Sequence, residues 1–155
     1  MARVNIMTAV TNPTSPKPMK RIGMCMIEVI DNGFPKTIER YLERESITEK
    51  ELSLQLLANA LTILKRLNIE FEEVGIYSDC KYIESAFNNK WLDGWTESDW
   101  MNAKGKEVAN KDLWKMIWEL LTAIGKRYIL PEDKSSYENW MHNQLDLVVK
   151  NGYKR

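Results

Sequence analysis

The chain has 155 residues, 44% of them apolar and 28% charged, which suits one folded domain with room for a core. Lysine plus arginine balances aspartate plus glutamate at 22 each, so the chain as a whole is no magnet for nucleic acid or membrane, and any polyanion site must be a local patch. Cys25 and Cys80 fit no zinc spacing, no run approaches the ~20 apolar residues of a membrane-spanning helix, and no apolar leader opens the chain, so free thiols and a cytoplasmic location are expected.

Residues 3–10 alternate as a strand does. Residues 11–18 hold three prolines and exclude regular structure. "RIGMCMIEVI" (21–30) reads as a second strand. "DNG" (31–33) is a hairpin signal, because Asn-Gly supplies the positive φ that such turns need. "FPKTIERYLE" (34–43) is then a third strand, antiparallel to the second. Over 46–67, Leu54, Leu57, Leu61 and Leu64 recur at helical spacing. "FEEVGIYS" (71–78) is a fourth strand and 79–87 a short helix. Residues 88–110 carry tryptophans and lysines without a regular apolar period. "KDLWKMIWELLTAI" (111–124) is an amphipathic helix, "RYILP" (127–131) a fifth strand, and 136–151 a last helix with Met141, Leu145 and Val148 on one side. Three sequential strands suit a meander, and strands separated by helices suit parallel crossovers. The expected fold is α/β: a mixed five-stranded sheet, three strands antiparallel then two parallel, with helices on both faces.

The most specific stretch is "WLDGWTESDWMNAKGKEVANKDLW" (91–114). It is similar to the tryptophan-rich basic protrusion of ribonuclease H type 1 and the helix that follows it. Trp91, Trp95, Trp100, Lys106, Val108, Asn110, Asp112, Leu113 and Trp114 all fall at family spacing. "YSDCKYI" (77–83) resembles the family's strand–Asp–helix junction, and "KELSLQLLANAL" (50–61) its Glu-bearing first helix. The resemblance covers nearly the whole chain and implies one ribonuclease H-like domain over 1–155, with 88–110 as the protrusion.

Members of that family cleave the RNA strand of an RNA–DNA hybrid with two divalent metals, usually magnesium, held by four carboxylates. Two hard dications a few ångströms apart need anionic oxygens to offset their repulsion. Carried over, the four positions are Ala9, Glu51, Asp79 and Asn143. Two acids remain, Glu51 and Asp79, and they are the candidate catalytic and metal-holding pair for a weakly bound Mg2+ or Mn2+. An alanine methyl cannot ligate, and Asn143 offers only a neutral carbonyl. Val10 replaces a glycine, the mobile histidine before the last helix is missing, and phosphate-gripping asparagines become Ile47 and Thr48. The only histidine, His142, lies inside the last helix. Asp146, Asp133 or Glu132 are possible substitute ligands.

Each residue also has a plainer role. "TEKE" (48–51) is a capping box for Thr48 and Glu51. Asp79 can cap the helix that follows it. Trp91, Trp95, Trp100, Lys104, Lys106 and Asn110 are the candidate nucleic-acid contacts, by stacking and by charge. Four acids, Asp93, Glu97, Asp99 and Glu107, sit among Lys90, Lys104, Lys106 and Lys111 and dilute that charge. The leading expectation is a monomeric hybrid-binding domain with lost or strongly reduced cleavage and weakened affinity. The alternatives are an active ribonuclease H with an atypical metal site, and a protein-interaction module. No membrane partner is expected.

Overall fold

The computed structural model describes residues 1–125, 127–131 and 137–151. Strands β1 (Ala2–Val10), β2 (Met19–Asp31) and β3 (Phe34–Ile47) form an antiparallel meander. Asn32 and Gly33 both have positive φ, 53° and 80°, which is why this dipeptide turns the β2–β3 hairpin. Helix α1 (Glu49–Leu67) leads to β4 (Phe71–Ser78), which pairs in parallel with β1. Then come α2 (Lys81–Asn88), α3 (Trp91–Glu97), α4 (Lys111–Ala123), the short β5 (Tyr128–Ile129) and α5 (Glu138–Asn151). The sheet order is β3-β2-β1-β4-β5, so the expected mixed sheet is present, antiparallel on one side of β1 and parallel on the other.

Several boundaries differ from the sequence reading. β3 runs on to Ile47, because its pairing with β2 continues to Met19. α1 therefore starts at Glu49, where Thr48 caps it by accepting from the Glu51 amide. The 88–110 segment contains a helical turn, α3, that has too few residues to show a period. β5 shrinks to two residues because only Tyr128 and Ile129 pair with β4.

The pleat sorts side chains onto two layers. Val4, Ile6, Val10, Cys25 and Ile27 face α1, whose Leu52, Leu56, Leu57, Leu61 and Leu64 cover them in the main core. Met7, Ala9, Met24 and Met26 face the other way and pack with Met141 and Leu145 of α5. Both faces are thus covered, as the crossovers require.

The three-proline loop is organised from within. Arg21 is 1% exposed, and its guanidinium donates to five carbonyls: Ile47, Thr11, Asn12, Ser15 and Lys17. Five N–H donors meet five acceptors, so the buried charge is solvated by the loop itself.

Candidate active site

β1 and β4 run parallel and end side by side. Their ends are tied by Thr8, whose hydroxyl donates to the Ser78 hydroxyl at 2.9 Å, while Ser78 accepts from the Cys80 amide. Asp79 follows directly, at the entry to α2. In an open α/β sheet the carboxyl ends of adjacent parallel strands form the natural ligand crevice. Here that crevice is a cleft of about 560 Å³, lined in part by Tyr77, Asp79, Lys81, Glu84, Asn88 and Met141.

Asp79 is nearly enclosed, with its side chain 9% exposed. Its Oδ2 accepts from the Val10 amide at 3.3 Å and lies 3.3 Å from His142 Nε2. Its Oδ1 is buried and has no hydrogen-bond partner. Burial raises the carboxyl to about 6, against the Val10 amide and His142, which favour the charged form; Glu49 adds to the rise as a like charge. Glu49 also acts on the Cys80 thiol, which is pushed up to about 11, mainly by burial.

Glu49, in the first turn of α1, thus acts on Asp79 as a like charge. Glu51 lies two residues on, about 200° round the helix from Glu49, and its backbone serves the Thr48 cap. The side chain that shares Glu49's face is Ser53, one turn on, which is fully buried with an unpartnered hydroxyl. On α5 the rotation is set by Met141 and Leu145, which are buried one turn apart. This turns His142 toward Asp79 and leaves Asn143 exposed. Asp146 follows His142 by one turn and is exposed, while Glu132 and Asp133 lie outside the described residues.

Ala9 is 1% exposed within the methionine cluster under α5. Its methyl continues that apolar surface. The family's two-metal arrangement therefore does not fit the residues present: the position at the end of β1 is a buried methyl, and α5 turns an imidazole toward Asp79 and leaves Asn143 exposed. Among the described residues no three His, Cys, Asp or Glu side chains are gathered as a metal site.

The tryptophans gather in one interlocking group. Trp95 sits between Trp91, Trp100 and Trp114, with ring centroids 6.0, 6.3 and 5.6 Å away. Trp114 is fully buried and donates its indole N–H to the Tyr82 hydroxyl at 2.9 Å. Trp100 is 7% exposed and so serves packing, whereas Trp91 is 37% exposed. Lys104 and Lys106 are exposed in a turn built on Asn102, whose side-chain oxygen accepts from both their amides. Asn110 has φ 58°, an αL conformation that asparagine tolerates, and starts α4 without a side-chain cap. Lys111 is paired with Glu107 at 3.2 Å, which removes one cation from the patch.

The family model for RNase H matches residues 9–129, most of the chain. The chain belongs to the RNase H family. Among curated relatives, a ribonuclease H from Chlorobium phaeobacteroides is 35% identical over 107 residues, covering 69% of each chain. One from Clostridium botulinum is 33% identical over 102 residues, covering 66% of this chain and 64% of its own length. The solved LC11-RNase H1 in complex with RNA/DNA hybrid aligns with a TM-score of 0.58 at 15% identity, over 95% of this RNase H chain and 99% of that one. A foamy viral protease-reverse transcriptase structure in complex with dsDNA aligns with a TM-score of 0.67 at 18% identity, over 98% and 94%. These structural likenesses bear on the fold.

Spacing did not single out Glu49 or His142 as neighbours of Asp79. The signal for His142 was the Met141–Leu145 pair, which sets the rotation of α5.

Proposed function

We propose that this RNase H domain binds nucleic acid of the RNA–DNA hybrid class and has lost, or strongly reduced, metal-dependent cleavage of the RNA strand. The single observation that carries this reading is the make-up of the site: a buried alanine shares the cleft with Asp79, and α5 turns a histidine toward it and leaves Asn143 exposed, where acids are needed. Two dications require several anionic oxygens to offset their mutual repulsion, and among the described residues no three acids, histidines or cysteines are gathered to supply them. Support for the hybrid as ligand comes from family membership and from the LC11 relative, whose structure contains an RNA/DNA hybrid.

The protrusion supports modest affinity. Lys104 and Lys106 are exposed for phosphates and Trp91 for a sugar or base face, but the acids among them reduce net attraction. The deciding experiment incubates a labelled RNA–DNA hybrid with high protein concentration and Mg2+ or Mn2+. Salt-dependent binding without cleavage is expected. Cleavage that disappears in Asp79→Asn would establish instead an active nuclease with an atypical metal site, for which Glu51 and Asp146 are the remaining acids to test.

A further inference from the structure

We infer that the Asp79 pocket is closed to divalent cations, because the chain's own Val10 amide and His142 imidazole occupy the side of the carboxylate that a metal ion would use. The inference rests on the nucleic-acid reading above and deepens it: the domain engages its ligand without metal.

Three observations carry it. The first is access. Oδ2 already has the Val10 N–H and His142 Nε2 at 3.3 Å each. A cation approaching Oδ2 would have to displace both. Oδ1 has free lone pairs but is shut off from solvent, and Mg2+ gives up its water shell reluctantly.

The second is the neighbouring donor set. Mg2+ demands oxygens in near-octahedral array, with one or two accessible carboxylates and retained waters supplying them in a protein site. The groups that meet Asp79 are the Val10 amide and the His142 ring, Ala9 adds only a methyl to the same cleft, and Glu49 acts on Asp79 as a like charge. Imidazole suits softer metals than magnesium.

The third is anchoring. His142 is held by a helix whose Met141 and Leu145 are locked into the methionine cluster. Tyr137, at the start of the same helix, donates to Glu28 Oε2 at 2.6 Å, and Asn5 donates to Glu28 Oε1. The helix that carries His142 is therefore held against β1 and β2, which keeps the imidazole within reach of Asp79.

The test has two arms on the full chain. In the first, MgCl2 alone is titrated into labelled protein while the Val10 amide and the His142 ring are followed by NMR, with NaCl of matched ionic strength as control. Equal small shifts in both salts support closure. A saturable shift at Val10 specific to Mg2+, absent in Asp79→Asn, overturns it. In the second arm, hybrid affinity is measured in EDTA and in Mg2+ at matched ionic strength. Affinity unchanged within about twofold supports closure, and a loss of about tenfold in EDTA overturns it. Failure to bind hybrid in either buffer would sink the nucleic-acid reading, while the first arm would still decide whether the pocket takes metal.

Discussion

His142 Nε2 stands 3.3 Å from Asp79 Oδ2, joining the last helix to the end of the fourth strand. The pair sits beside the carboxyl ends of β1 and β4, and the response of Asp79 to pH is open to measurement.

Burial raises the Asp79 carboxyl from 3.8 to about 6 in the folded protein. A folded value above the unfolded one means that the folded state holds the proton more tightly. The contribution is fully present below pH 3.8 and is lost as pH rises through about 6. Over that window the wild type should lose about 2–3 kcal/mol relative to Asp79→Asn, whose amide oxygen can still accept from Val10. Urea denaturation of the two proteins at pH 4 and pH 7 gives the comparison; parallel pH profiles would show that Asp79 is not destabilised by burial.

Replacing Ala9 by aspartate inserts an acid among Met7, Met24 and Met141. The variant should lose about 2–4 kcal/mol and gain no cleavage, because one acid does not restore a metal set. Denaturant midpoints and the hybrid cleavage assay read the two effects separately. Recovered cleavage in Ala9→Asp would mean that this single methyl is what silences the site.

Trp95 and Trp91 should separate packing from binding. Trp95→Ala empties the centre of the aromatic group and should cost about 3–4 kcal/mol. Trp91→Ala removes a partly exposed ring and should cost less stability while weakening hybrid binding by up to about tenfold, the scale of one stacking contact. Thermal melts and fluorescence anisotropy distinguish them; equal affinity of wild type and Trp91→Ala would remove Trp91 from the interface.

Arg21→Met should be among the most damaging single changes outside the main core. It strips donors from five carbonyls at once, for an expected loss of about 3–5 kcal/mol. Arg21→Lys should recover only part of this, since an ammonium has three donors and no planar fork. Chemical denaturation of both variants measures the difference.

The fold was legible because its signals are local: the leucine stripe of α1, Asn-Gly in the β2–β3 turn and the proline stops all act within a few residues. The site was less so. Glu51 matches both a capping box and a family motif in sequence, and its amide does serve the Thr48 cap, while the charge of Glu49 on Asp79 depends on how α1 packs beside β4. Asn143 and His142 differ by one position, and only the burial of Met141 and Leu145 decides which of them meets β4. Arg21 gave no signal, since its five partners come from a loop and a distant strand end whose approach is a product of the whole fold.

The sulfur lining beneath α5 has a consequence of its own. Met7, Met24, Met26 and Met141 are each at most 2% exposed while the helix is docked. Peroxide converts a thioether into a polar sulfoxide, which that packed layer cannot readmit without loss. Each undocking of α5 thus opens these side chains to a reaction that opposes redocking, and the fraction of sulfoxide in an aged sample becomes a chemical clock of how often the last helix has lifted.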